Sequence, residues 1–234
     1  MINCSALRAI ALLSSLLLGA AASLIAQDTT FTRHIHSKTL NVTLDKKSGS
    51  IRSISGFKAN LADYGVSAIA FTESNVENFG KMFVDDYTEV FGFTSLQMKK
   101  QGIFMFSDDW DLTFVQSLND VPVDGSEIHF RIDPKGYFTG ITTKIYPDVH
   151  CNTDPVLSSD TCLSIIRSVL RMDDARMLHS PQLVIIPKPR GDSFDYHLCW
   201  KMDISTSDPK GLDWEFAIDA ADGEILRQIG VVAN

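Results

Sequence analysis

The sequence predicts an α+β fold, with helices and strands grouped rather than alternating along the chain. Three observations predict it: two amphipathic helical stripes, four short strands between them, and a final block of four strands closing on a tight hairpin.

The elements follow in order. Arg8 is the only charged side chain before an apolar run from Ala9 to Leu18, and Gly19 to Ser23 are small, so residues 1–26 read as a secretory signal peptide. The run is shorter than the roughly 20 residues that cross a bilayer, and the polar Gln27 to Thr30 follow it. No membrane anchor is therefore expected after cleavage, for which Ala26 is the preferred site. Leu40 to Leu44, the turn Asp45 to Gly49, and Ser50 to Ile54 predict a β-hairpin. Val76, Phe79, Phe83, Tyr87, Val90 and Phe91 recur every three or four residues and predict one helix, with Ser74 and Glu77 as a capping box and Gly92 as its stop.

Leu96 to Phe106, Leu112 to Leu118, Ser126 to Ile132 and Tyr137 to Ile145 are bounded by turn residues and predict an antiparallel meander. Ser159 caps a second predicted helix whose Cys162, Leu163, Ile166, Val169 and Leu170 share a face. Leu183 to Ile186, Tyr196 to Ile204, Trp214 to Ile218 and Ile225 to Ile229 are the last strands. Residues 27–146 and 147–234 are expected to form two units packed together.

The formal charge is −8, and losing Arg8 with the leader leaves 20 basic against 29 acidic side chains, or −9. That balance argues against nucleic acid and anionic membrane as partners. Cys4 leaves with the leader. Cys151, Cys162 and Cys199 then allow one disulfide and one leftover thiol; Cys151 with Cys162 is the preferred pair because the two flank a short loop. Cys199 lies in an alternating run, on the opposite side from Tyr196, Leu198, Trp200, Met202 and Ile204, and is read as an inert strand cysteine.

Three segments carry a resemblance. LDKKSGSIRSISG resembles the opening of thermolysin-family propeptides. FVQSLNDVPVDGSEIHFRIDPKGYFTGI, with Gln116, Pro122 and Gly125, is similar to the fungalysin/thermolysin propeptide module. PQLVIIP, YHLCWKMDI and WEFAIDAADGEIL, with Trp200, Asp219 and Gly223, resemble a PepSY domain. The resemblance spans about residues 41–229 and implies two cystatin-like helix-on-sheet units, the first propeptide-like and the second PepSY-like. It implies a secreted, non-catalytic protein that acts on a thermolysin-like metallopeptidase in trans, as inhibitor or folding assistant. The peptidase that ordinarily follows such propeptides is not in this sequence, and Cys151, Cys162 and Cys199 depart from the family pattern. The tail Arg227, Gln228, Ile229, Gly230, Val231, Val232, Ala233 and Asn234 corresponds to the segment that runs toward the peptidase cleft. It is expected to lie extended and to carry much of any inhibition, with the strands of the second sheet as docking surface. A cystatin-like adhesion or ligand-binding module is the alternative.

No His precedes Glu, so the H-E-x-x-H zinc helix is missing, as are nucleophile-elbow and phosphate-loop motifs. His34 with His36 and the group Asp108, Asp109 and Asp111 are the closest approaches to metal ligands, and both read as ordinary polar segments. His129, His150, His179 and His197 are scattered. Catalytic residues, cofactors and metals are expected to be none. Asn41-Val42-Thr43 is a glycosylation sequon in a eukaryotic source.

Overall fold

The computed structural model describes residues 29–35, 38–44, 51–55, 59–60, 73–106, 109–146, 148–171, 173, 175–191, 193–206 and 212–232. The leader, the Asp45 to Gly49 turn, His36, Asp108, Ala233 and Asn234 lie outside them. The fold is α+β, as the pattern predicted, and the chain divides into two units. The first comprises Met1–Gly92, Ile103–Leu112 and Ile128–Pro147; the second comprises Phe93–Gly102, Thr113–Glu127 and Asp148–Asn234.

The predicted hairpin is strands β2 (Lys38–Leu44) and β3 (Ile51–Ser55), preceded by β1 (Thr29–Ile35), which has no counterpart in the prediction. Leu40 and Val42 are buried and Asn41 between them is exposed, the alternation expected of a strand with one covered face. The meander comprises β5 (Met98–Phe106), β6 (Asp109–Leu118), β8 (Glu127–Ile132) and β9 (Tyr137–Lys144), with short pieces β4 (Ala59–Asn60) and β7 (Val121–Pro122). Strand order is β1-β2-β3-β9-β8-β6-β5; β4 pairs with β9 and β7 with β6.

The first unit's helix is interrupted where a continuous one was expected. Helix α1 (Glu73–Asp86) stops before Tyr87, and the chain resumes as α2 (Thr88–Phe91), ending at Gly92 with φ of 73°. The hydroxyl of Thr88 donates to the Asp85 carbonyl at 2.8 Å, a local alternative to the helical ladder that threonine offers the backbone. Gly92 is the stop the sequence predicts, because glycine takes the left-handed turn without a Cβ penalty. Phe79 and Phe83 of α1 pack on Phe138 of β9, and Phe83 also meets Phe130 of β8.

In the second unit, helix α3 (Ser159–Leu170) is capped one residue earlier than expected: the Ser158 hydroxyl accepts the Thr161 N–H at 3.2 Å. Its buried Cys162, Leu163 and Ile166 join Met202, Ile204, Phe216 and Ile218 in one core. Those strand residues belong to β12 (Ser193–Ser205) and β13 (Leu212–Asp219), which pair with β11 (Gln182–Arg190), β10 (Arg176–Met177) and β14 (Ile225–Val232) in an antiparallel sheet. Val169, expected on the buried face, is 49% exposed. Gly223 closes the β13–β14 hairpin with φ of 85°, and its N–H donates to the Asp219 carbonyl at 3.0 Å. A Cβ there would lie 2.7 Å from Ile165 Cδ1. Gly223→Ala is therefore expected to lower stability by about 1 to 2 kcal/mol, read as a shifted urea midpoint at constant slope.

Candidate interaction surface

The segment from Gln116 to Ser126 builds a turn that docks on the second sheet, within the second unit. The buried Gln116 accepts the Val123 N–H at its carbonyl (2.7 Å), and its own N–H donates to the Ser126 hydroxyl, which donates in turn to the Val123 carbonyl. Pro122 pairs with Ser117, and Gly125 takes φ of 71°, the bend that its type permits. Val123 bridges Ile185 of β11 in parallel, and the Asp124 N–H donates to the Ile185 carbonyl at 2.8 Å.

That docking delivers the Asp124 carboxylate to the sheet face opposite helix α3. Arg227 of β14 donates to Asp124 at 2.6 Å and to Glu215 of β13 at 3.1 Å. Lys201 of β12 lies 3.2 Å from Glu215 and 3.6 Å from Asp124, completing a half-buried ring of alternating charge. Burial works against the charge of Arg227, but the hydrogen bonds it donates to Asp124 and Glu215, and their attraction, outweigh it and raise its pKa. Desolvation of these half-buried charges offsets part of their attraction.

Arg227 to Val232, expected as an extended tail, is built into the sheet as β14, paired with β13 from Leu212↔Val232 to Ile218↔Ile225. Among the described residues, β14 ends the strand order of this sheet. Ile229 shares the face of Arg227, opposite Glu215 in the register, and is 49% exposed. Gln228 and Gly230 alternate with it; the Trp214 ring lies 3.5 Å from where a Gly230 Cβ would stand.

Further along the same unit, His197 and Asp219 are hydrogen-bonded at 2.7 Å, and Asp219 also accepts the Ala221 N–H at 2.8 Å. They line a pocket of about 220 Å³ with Cys151, Tyr196 and Leu198. Trp200 packs on the α3 core and donates its indole N–H to the Leu157 carbonyl at 2.8 Å. The three thiols are free in this structure, so the expected Cys151–Cys162 bridge is not formed in it. The reason is the sheet: Cys162 is sealed beneath α3 with Met202 and Phe216, while Cys151 sits at the His197–Asp219 pocket. Burial first, and then the Asp219 charge, push all three thiols up, Cys199 to about 12.

The first unit carries a separate groove of about 480 Å³, whose lining includes Ser53, Ser55, Asp111, His129, Thr142 and the apolar Ile141. Asp111, from the carboxylate group singled out in the sequence, pairs with His129 at 3.2 Å. Among the described residues no group of three His, Cys, Asp or Glu side chains is placed to hold a metal, and no helix is long and apolar enough to cross a membrane. The sequence pointed to Gln116, Asp219, Gly223 and Arg227, but not to Asp124, Lys201, Glu215 or the His197 pairing. Strand alternation puts Lys201 on the Cys199 face and Glu215 on the face away from Phe216; that was the available signal.

No family model and no curated protein matches the chain. Among solved structures it is similar to the Bacillus megaterium YpeB C-terminal domain, at 13% identity and a TM-score of 0.38, covering 88% of this chain and 82% of that one. It is also similar to an uncharacterized protein from Eubacterium rectale, at 10% identity and a TM-score of 0.42, covering 86% and 76% respectively.

Proposed function

We propose that the chain is a secreted, non-catalytic, propeptide-like protein that binds a thermolysin-like metallopeptidase in trans, as inhibitor, folding assistant or both. The observation that carries this reading is the position of Arg227–Val232 within β14, last in the strand order of the second sheet among the described residues. A strand in that position offers a row of backbone groups to an extended segment of a partner, here with the exposed Ile229 beside it. Further support is the ion pair between Asp124 and Arg227, which ties the turn at Gly125 to β14 and so holds the proposed docking strand in place.

The test is titration of the purified mature protein into several secreted thermolysin-like peptidases, with residual activity and stoichiometry recorded. Saturable one-to-one inhibition is expected, and a Kd of ~1 μM would correspond to about 8 kcal/mol of binding. Ile229→Lys, which puts a charge at the strand edge without touching the core, is expected to weaken inhibition at least ~10-fold with circular dichroism unchanged. Unaltered inhibition by that variant would remove β14 from the interface. Failure to inhibit any peptidase, together with failure to assist refolding of one, would overturn the reading.

A second reading, a secreted ligand-binding module, is favoured by the hydroxyl-rich groove of the first unit. It expects a polar small molecule to raise Tm while no peptidase responds.

A further inference from the structure

Three thiols allow three pairings, and the second unit separates them by face. Cys162 belongs to the core under α3, with Met202, Ile204, Phe216 and Ile218. Cys199 belongs to the opposite face of the sheet, packed with Val184, Ile186 and Ala217. The sheet itself therefore stands between Cys162 and Cys199.

Cys151 is carried by a segment laid along β12 and the turn that follows β13. The His150 ring packs on Tyr196 at 5.9 Å between centroids, the Val156 and Leu157 N–H groups donate to the Ala220 carbonyl at 3.0 and 2.8 Å, and Trp200 reaches back to Leu157. Cys151 consequently lines the pocket with His197 and Asp219. Cys199 is directly opposite Asp219 in the β12–β13 register, and its thiol donates to the His197 carbonyl at 3.6 Å. Both thiols thus converge on the same two residues, His197 and Asp219. They are also in electrostatic reach of one another, since a Cys151 thiolate raises the pKa of Cys199.

The geometry points to Cys151 and Cys199 as the disulfide-forming pair of this protein, with Cys162 the leftover thiol. The structure described here is then the dithiol form. Their accessibilities set the order of events: Cys151 is half-buried at the pocket, whereas Cys199 is fully covered. With a low-molecular-weight disulfide such as oxidised glutathione as oxidant, the Cys151 thiolate attacks one glutathione sulfur and releases one glutathione thiolate, leaving a mixed disulfide at Cys151. The Cys199 thiolate then attacks the Cys151 sulfur and expels the second glutathione thiolate. Two protein thiols are oxidised to one disulfide, one glutathione disulfide is reduced to two thiols, and the protons from Cys151 and Cys199 go to the departing thiolates. The bond would tie the segment ahead of α3 to the central strand of the second sheet. This inference is independent of any peptidase partner.

The test is to reduce the full-length mature protein, incubate it with oxidised glutathione, alkylate it, and map it by mass spectrometry. Trypsin combined with an endoprotease that cuts before aspartate separates Cys151 from Cys162 at Asp154 and Asp160. A crosslinked peptide containing Cys151 and Cys199, with Cys162 alkylated, is expected. Cys162→Ser is expected to keep that crosslink, and Cys199→Ser to stop at a glutathione adduct on Cys151. The oxidised form is expected to melt roughly 5 to 10 °C above the reduced form. A crosslink involving Cys162, three alkylated cysteines, or a wild-type reaction that halts at the mixed disulfide would each overturn the pairing.

Discussion

Replacing Phe83 with alanine is expected to destabilise the first unit by about 3 to 5 kcal/mol, a large part of the stability of an ordinary domain. Phe83 is fully buried on α1 and is the hub of an aromatic cluster. Its ring stacks on Tyr87 at 4.5 Å, leans on Phe138 at 4.8 Å, and meets Phe79, Phe91 and Phe130 at 6.1 to 6.3 Å. These partners come from both helical segments and from β8 and β9, so no single neighbour can move in to fill the space without abandoning the others. The loss is therefore a transfer term plus an unrelaxed cavity, with forfeited edge-to-face and stacked ring contacts besides. Met82, adjacent in sequence but 46% exposed, supplies the control: Met82→Ala is expected to change stability by no more than about 0.5 kcal/mol. Urea unfolding of both variants, followed by circular dichroism, measures the contrast. Equal midpoints for the two would show that Phe83 is not the hub of this core.

The parts of this fold that were legible in the sequence are those whose cause is local. The period of the α1 stripe, the left-handed stop at Gly92, the Ser-rich cap ahead of α3 and the Asp222-Gly223 hairpin each need only a few adjacent residues to be recognised. The break at Tyr87 was written there too, in Thr88, but a hydroxyl that competes for the backbone matters only once the helix reaches it. β1, β4, β7 and β10 were not visible, because three of them are two-residue pieces that exist only through their partners, and β1 carries no clean alternation. The charge ring was beyond reach for a different reason. Asp124 and Arg227 are 103 residues apart, and only the docking of Val123 on Ile185 brings them together. The cysteines show the hazard of reading proximity from spacing: Cys151 and Cys162 are close in sequence, yet a helix turns one of them into the core while the other stays at the pocket.

Alkaline pH is expected to weaken the reduced protein through Cys199 by as much as about 4 kcal/mol between pH 9 and 12. Burial first, and then the charge of Asp219, raise this thiol from an ordinary 9.0 to about 12 in the folded chain. Below pH 9 the thiol is protonated whether the chain is folded or not, so its contribution is fully present. Above pH 9 the unfolded chain releases the proton while the folded chain keeps it, so the unfolded state binds fewer protons and stability falls with rising pH. The slope is about 1.4 kcal/mol per pH unit and flattens near pH 12, where the folded thiol also ionises. Lysines and tyrosines titrate over the same range, and the difference between wild type and Cys199→Ala isolates the thiol. The variant is expected to begin less stable at pH 8, because it leaves a small void among Val184, Ile186 and Ala217, and then to lose less stability as pH rises. The two unfolding curves, measured in reductant at intervals from pH 8 to 11, should therefore converge. Parallel curves would mean that Cys199 is already solvated or ionised in the folded chain, against its burial among Val184, Ile186 and Ala217.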